Sequence, residues 1–245
     1  MPLDAEMDMR TQIDEIYDVK SQRFTLWYPI FWRTINTYRA EPTMSSIRFA
    51  AISGHVHVLE RLIAGDKESI KKAINTRDEE RKSALLWASE LGHLETVQIL
   101  LDNGADVHAQ GGEYGNALQV ASARGSLEIV QVLLDKGADV HAQGGYYGNA
   151  LEAASAEGHL EVVQLLLDKG ADVHAQGGHY GNALQAASAG GHLEIVQLLL
   201  DKGADVHAQG GEYCNALQAA SAVGHQEIVQ LLLDKGAVSE NHGQP

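Results

Sequence analysis

The string GADVHAQGG recurs with a fixed period, and this repetition limits the fold more than any other feature of the chain. It begins at Gly104, Gly137, Gly170 and Gly203, always 33 residues after the previous copy, and Gly236 starts a shorter fifth copy. The units 138–170 and 171–203 are identical at 29 of 33 positions. A period of this length indicates equivalent structural units stacked in a row rather than one globular domain.

Each unit is predicted to form two short helices and a polar loop. An asparagine precedes the first apolar run, where its side-chain oxygen can cap a helix; the four are Asn116, Asn149, Asn182 and Asn215. The alanine-rich first helix ends at a glycine, and the second, LEIVQVLLD in one copy, has apolar residues at helical spacing. The remainder, ADVHAQGGEYG, is too polar and glycine-rich for a helix and is expected to form an extended turn or hairpin.

These units resemble ankyrin repeats. The family's G-A-D-V-N-A segment, T-P-L-H helix start and G-H-L-E-I-V second helix match Gly104–Ala109, Asn116–Gln119 and Gly125–Val130. Asn-Ala-Leu-Gln stands where the family has Thr-Pro-Leu-His, which keeps a capping residue and a helix former. The GGxYGNAL string resembles tandem ankyrin arrays of fungal proteins. The resemblance implies an all-α ankyrin-repeat solenoid of helix-turn-helix units with short β-hairpin loops.

The predicted organisation is an N-terminal helical cap at 1–44, six repeats over 45–237 and a tail at 238–245. The repeats are placed at about 45–78, 79–111, 112–144, 145–177, 178–210 and 211–237. Gly54 and Gly92 are 38 residues apart instead of 33, which places an insertion in the loop around 66–72. The last helix keeps the apolar pattern of an internal repeat. Its exposed flank is therefore expected to fray, to meet another protomer or to be covered by something the sequence does not contain.

The charge of the chain predicts which partners it can bind. The net charge is −15, and residues 104–245 hold 5 basic and 17 acidic side chains. A surface of this sign repels phosphate, so we expect neither nucleic acid nor membrane as a partner, and a neutral or basic protein instead. One cysteine, Cys214, and an acidic N-terminus without an apolar leader predict a cytoplasmic location, with the nucleus as the alternative.

No catalytic, cofactor or metal site is predicted. GxSxG, P-loop, HExxH and strand-linked GxGxxG motifs do not occur. One histidine recurs in each loop, but stacked helices lie ~10 Å apart, whereas the ligands of one zinc ion lie within about 4 Å of one another. We expect a structural role for these residues, His108, His141, His174 and His207. The same holds for His55, His93, His159, His192 and His225, which stand where ankyrin repeats have a histidine that bonds the adjacent loop backbone.

Comparison between the copies identifies candidate contact residues. Two positions vary in chemical type, which a packed core would not tolerate. One is on the hairpin and the other at the end of the first helix; in ankyrin repeats both face the concave groove and contact partners. Drift at unconstrained positions is the alternative for any single residue. The hairpin row is Glu113, Tyr146, His179 and Glu212, and the helix row is Arg124, Glu157, Gly190 and Val223.

Aromatic residues add a second set of candidates. A constant row stands beside the variable hairpin row: Tyr114, Tyr147, Tyr180 and Tyr213. We expect each ring to pack on its neighbour and to leave an edge exposed to a partner. Trp87, also a candidate contact residue, is expected to pack in the core of the cap, the alternative being an aromatic pocket with Trp27 and Trp32. The charged segment 78–82 is expected to be solvated.

The sequence therefore predicts a non-catalytic protein-interaction scaffold that binds its partner through the concave groove. The alternative is a small-molecule binder or an unorthodox enzyme that uses a pocket between the aromatic cap and the groove. Self-association through the C-terminal flank is a third hypothesis, under which Leu231→Lys combined with Leu232→Lys abolishes an oligomer.

Overall fold

The computed structural model describes residues 46–64 and 67–238, and these contain thirteen α-helices and no sheet. The contacts divide the chain into two compact units, 1–106 and 107–245, which we describe separately. The predicted cap at 1–44, with Trp27 and Trp32, lies outside the described residues, as does most of the predicted tail. No helix within the described ranges is long and apolar enough to cross a membrane.

The described part of the first unit contains two helix pairs and one additional helix. The pairs are α1 (Ser46–Ser53) with α2 (Val56–Leu62), and α4 (Ala84–Glu90) with α5 (Leu94–Asp102). Helix α1 packs against α4, and α2 against α5. The insertion predicted as a loop around 66–72 is instead part of a helix, α3 (Lys67–Ile74). Its two isoleucines, Ile70 and Ile74, lie four residues apart on one buried face, which stabilises this helix against its neighbours.

The second unit contains four successive helix pairs. The first helices of the pairs pack against one another in a row, and so do the second helices. The first helices are α6 (Ala117–Ala123), α8 (Ala150–Glu157), α10 (Ala183–Gly190) and α12 (Ala216–Val223). The second helices are α7 (Leu127–Asp135), α9 (Leu160–Asp168), α11 (Leu193–Asp201) and α13 (Gln226–Asp234).

The asparagine caps are confirmed in all four pairs. The Asn116 side chain accepts a hydrogen bond from the backbone N–H of Gln119 at 2.9 Å, and the Gln119 side chain accepts one from the N–H of Asn116 at 2.9 Å. Asn149, Asn182 and Asn215 accept the equivalent bond at 2.8 to 2.9 Å. These bonds satisfy N–H groups that have no partner inside the helix, so each repeat begins its first helix at a defined residue.

Residues at equivalent positions of successive repeats form the buried core. Ala121, Ala154 and Ala187 in the first helices have no exposed surface, and neither do Val130, Val163 and Val196 in the second. Because alanine adds only a methyl group, neighbouring first helices approach closely. In the last helix, Leu232 has no exposed surface while Leu233 is 42% exposed. The substitution pair proposed from the sequence is therefore the wrong probe of the flank, since Leu232→Lys places a charge in the core.

The loops are tighter than the predicted hairpins. No strand occurs among the described residues, and each loop of the second unit is closed by a backbone hydrogen bond across five residues, as from Gly144 N to Gly148 O at 2.8 Å. Two of these loops form an isolated β-bridge, Gly111–Gly115 and Gly177–Gly181. Because glycine supplies no side chain for a cross-strand pair, β-pairing does not extend beyond this single bridge.

Four histidines of the second set connect neighbouring helix pairs. In the second set, Nε2 lies 3.0 to 3.2 Å from a carbonyl oxygen at the first helix of the preceding repeat. The pairs are His93–Ile52, His159–Ala123, His192–Ala156 and His225–Ala189. In the loop set, the backbone N–H of His141, His174 and His207 donates to the aspartate two residues earlier at 2.9 Å.

Candidate partner-binding surface

The tips of the four loops in the second unit are joined through their backbones. Tyr146 N–H donates to Glu113 C=O at 2.9 Å, His179 N–H to Tyr146 C=O at 2.8 Å, and Glu212 N–H to His179 C=O at 3.0 Å. The side chains of successive tips are therefore held in register. We call the tip residues the turn-tip surface: Glu113, Tyr114, Tyr146, Tyr147, His179, Tyr180, Glu212 and Tyr213. The sequence predicted these residues as contacts, but it did not predict the row of backbone hydrogen bonds that holds the turn tips together.

The tyrosine row forms a stack along this surface. The rings of Tyr114 and Tyr147 have centroids 5.8 Å apart and planes at 19°, and those of Tyr147 and Tyr180 are 6.3 Å apart at 14°. The predicted ring-on-ring packing is confirmed for these three residues. Burial raises the pKa of Tyr180 to about 12 and that of Tyr147 further, so both phenols are neutral. Tyr147 is only 6% exposed, so it supports its neighbours and presents little surface to a partner.

The variable tip residues form a second, more exposed row. Tyr146 is 39% exposed and stacks on His179, with ring centroids 4.7 Å apart and planes at 24°. The imidazole Nε2 of His179 lies 2.5 Å from a carboxylate oxygen of Glu212. Burial raises the pKa of Tyr146, and the nearby charges of Glu212 and Glu113 add to the rise. The row is thus an aromatic pair between two carboxylates contributed by different repeats.

Two of the four variable residues at the helix ends, Arg124 and Glu157, contact the same tyrosines. All four, Arg124, Glu157, Gly190 and Val223, are exposed, which confirms the exposure inferred from their chemistry. The Arg124 guanidinium lies 5.6 Å from the centroid of Tyr114, and the Tyr147 hydroxyl donates to the Glu157 carboxylate. Arg124 and Glu157 are therefore linked to the turn-tip surface through the constant tyrosines.

Trp87 does not belong to this surface. It is 3% exposed, its Nε1 donates to the Asp78 carboxylate at 2.8 Å, and the Lys82 ammonium lies 4.1 Å from its ring centroid. Its inclusion among the contact residues was wrong because a buried indole cannot reach a partner. The expectation of a solvated 78–82 segment was wrong for Asp78 and Lys82, whereas Glu79 and Arg81 are exposed. Asp78 and Lys82 are 8% and 2% exposed, and Lys82 pairs with Glu90 at 2.6 Å.

Cys214 is an exposed thiol in an unfavourable backbone conformation. Its φ is +66°, where the other three loops have Gly115, Gly148 and Gly181. A residue with a Cβ is strained in this region, whereas glycine is not. Within the described ranges, no group of three or more histidine, cysteine or acidic side chains is arranged to hold a metal ion.

Comparison with known proteins identifies the repeated unit. Two family models described as ankyrin repeats match the chain, one over residues 110–177 and 151–242 and the other over 85–134. The chain is also similar to the crystal structure of an ankyrin repeat domain from Acinetobacter baumannii AYE. The TM-score is 0.66 at 29% identity, and the match covers 78% of this chain and 98% of that one. The search of curated proteins finds no match.

Proposed function

Since this chain belongs to the ankyrin-repeat family, whose repeats are generally protein-interaction modules, we propose that it is a non-catalytic scaffold that binds a partner protein through its turn-tip surface. The observation that supports this most is the chain of contacts Tyr146–His179–Glu212. These side chains come from three successive repeats, and all are partly or fully exposed. Aromatic rings held rigidly lose little entropy on binding.

The partner is a neutral or basic protein that acts in the cytoplasm or nucleus. The turn-tip surface and the adjacent helix ends carry Glu113, Glu157 and Glu212 against one cation, Arg124. An acidic partner would meet like charges, which reduces both the rate and the affinity of association. The exposed face of Tyr146 suits an apolar group or a cationic side chain.

Affinity capture from the source cell tests this proposal. The chain is compared with a variant altered at the surface, Tyr146→Ala with Glu157→Ala and His179→Ala. The matched control is Gln131→Ala with Gln164→Ala and Gln197→Ala, which removes exposed hydrogen bonds from three second helices. We expect the first variant to lose the partner and the control to retain it. Equal recovery by the wild type and the first variant contradicts the proposal, provided circular dichroism shows all three chains equally helical.

A further inference from the structure

Three equivalent cavities lie between successive loops of the second unit. Their volumes are about 250, 160 and 110 Å³ in chain order. One water molecule needs roughly 10–15 Å³, so each cavity can admit the end of a side chain. None of their lining residues belongs to the turn-tip surface. We call them the inter-loop cavities, and they lie between 107–118 and 138–143, between 140–151 and 171–175, and between 173–184 and 204–208.

Each cavity has a mainly apolar inner wall and a polar mouth. In the middle cavity, Leu151 is buried and Val140 and Ala171 are partly exposed, whereas His141 and Asp172 are exposed. The same residue types with the same burial recur 33 positions earlier and 33 positions later. The three cavities therefore offer one kind of site, repeated along the stack.

Each mouth carries a carboxylate that can accept a further hydrogen bond. Oδ1 of Asp139, Asp172 and Asp205 accepts from the backbone N–H two residues later at 2.9 Å, which fixes the side chain. Within the described residues, no hydrogen bond or ion pair reaches Oδ2 of these three aspartates. The loops 137–148 and 170–181 contain no lysine or arginine. A cation is therefore attracted to each mouth, and an anion is repelled.

This combination of an apolar wall and an acidic mouth fits a lysine or arginine side chain. Both residues have an aliphatic stem that packs on apolar surface and a charged end that stays near water. In the middle cavity the stem would contact Val140 and Leu151, and the charged end would donate to Asp172. The Gln143 amide oxygen at the same mouth is a second acceptor.

The spacing of the cavities selects the conformation of the chain that carries these side chains. Neighbouring units stack about 8–10 Å apart, the distance between packed helices. A polyproline II helix rises about 3.1 Å per residue with three residues per turn, so every third side chain lies on one face about 9 Å further on. A β-strand places residues i and i+3 on opposite faces. A polyproline II segment therefore matches the row, and a β-strand does not.

We propose that the inter-loop cavities bind a basic segment of a partner protein in polyproline II conformation, with a lysine or arginine at every third position. Each cation enters one cavity and pairs with Asp139, Asp172 or Asp205. This surface is separate from the turn-tip surface, so the inference does not depend on the function proposed above.

Binding of two synthetic peptides tests the predicted spacing. The first is Pro-Arg-Pro repeated three times, and the second has the same composition with its three arginines adjacent. Calorimetry should show a 1:1 complex between the full chain and the first peptide. The second should bind at least about tenfold more weakly, because its arginines cannot reach three cavities at once. Equal binding of the two peptides, or binding of neither, would overturn the inference.

Substitution of the aspartates tests where the first peptide binds. Asparagine keeps the Oδ1 that accepts from the backbone and removes the charge, so the triple variant should bind at least about tenfold more weakly. The matched control removes three exposed charges from the second helices and should change the affinity less than about twofold, since distant exposed charges are screened. The variant is Asp139→Asn with Asp172→Asn and Asp205→Asn, and the control is Glu128→Gln with Glu161→Gln and Glu194→Gln.

The remaining outcomes separate this site from other modes of binding. Equal weakening by the two triple variants would show that the peptide responds to overall charge, which overturns the inference. The turn-tip variant, Tyr146→Ala with Glu157→Ala and His179→Ala, should bind the first peptide like the wild type. Loss of the peptide in that variant would place it on the turn-tip surface and overturn the inference. If circular dichroism shows that the aspartate variant is less helical, the comparison of the two peptides on the unaltered chain decides.

Discussion

At the scale of single residues, Glu152 is the clearest departure from the repeat. It holds the position of Gln119, Gln185 and Gln218, whose amides can donate to the next loop, but a carboxylate has no hydrogen to donate. Glu152 has no exposed surface, and burial raises its pKa to about 8, while the backbone N–H groups of Tyr180 and Gly181 offset part of the rise. The folded chain therefore favours the protonated acid, which can donate as the amides do.

This environment predicts a pH-dependent stability that Glu152→Gln removes. Since the pKa is about 8 in the folded chain and 4.5 as the reference value, folding takes up a proton between these limits. The contribution of Glu152 is complete below pH 4.5 and is lost as pH rises toward 8. Between pH 5 and pH 8, we expect the free energy of unfolding of the wild type to fall by about 2–4 kcal/mol more than that of Glu152→Gln. Urea denaturation at both pH values measures this, and equal losses would contradict it.

The strained Cys214 gives a second prediction at this scale. Cys214→Gly restores the residue of the other three loops at a φ of +66°, so it should stabilise the chain by roughly 0.5–1 kcal/mol. Gly181→Cys is the reverse control and should destabilise, because a Cβ there would lie 2.2 Å from the Gln185 amide oxygen. Thermal denaturation of both variants under reducing conditions tests the pair. Destabilisation by Cys214→Gly would contradict the strain argument.

At the scale of elements, the sequence predicts helices and caps well and predicts interactions between neighbours poorly. The four asparagines mark helix starts because capping is a local interaction of residues three apart. The prediction of a loop around 66–72 was wrong because the repeat supplies no template for an insertion, although Ile70 and Ile74 have helical spacing in the sequence. The ladder between turn tips and the burial of Lys82 depend on distant residues, so no local pattern indicates them.

The histidine contact between neighbouring helix pairs predicts that replacing two histidines of adjacent repeats lowers the free energy of unfolding by different amounts. His192→Ala leaves the Ala156 carbonyl without its imidazole partner and opens space at Gly158, so it should cost about 1–3 kcal/mol. His174→Ala should cost less than about 0.5 kcal/mol, because that side chain is exposed and only its backbone N–H bonds Asp172. Chemical denaturation compares the two variants. Equal costs would show that the imidazole does not stabilise the repeat contact.

At the scale of the molecule, the 33-residue period predicted stacked units, and the motifs within each copy predicted the family and the all-α fold. The candidate surface was predicted in part. Variation between copies separated the exposed Tyr146, in the variable row, from the buried Tyr147, in the constant row, but it did not indicate how little of Tyr147 remains accessible to a partner. Trp87 was wrongly included among the contact residues because the sequence pattern around an aromatic residue on the first helix of a repeat is the same whether the ring faces a partner or the core.

The most direct test of the account is site-specific photocrosslinking in the source cell. A photoreactive phenylalanine analogue replaces either Tyr146, on the turn-tip surface, or Gln164, on a second helix. Because Tyr146 is exposed between carboxylates of neighbouring repeats, we expect it to crosslink to a discrete protein that Gln164 does not reach. A crosslinked partner at Gln164 and none at Tyr146 would contradict the claim that this chain binds through its turn-tip surface.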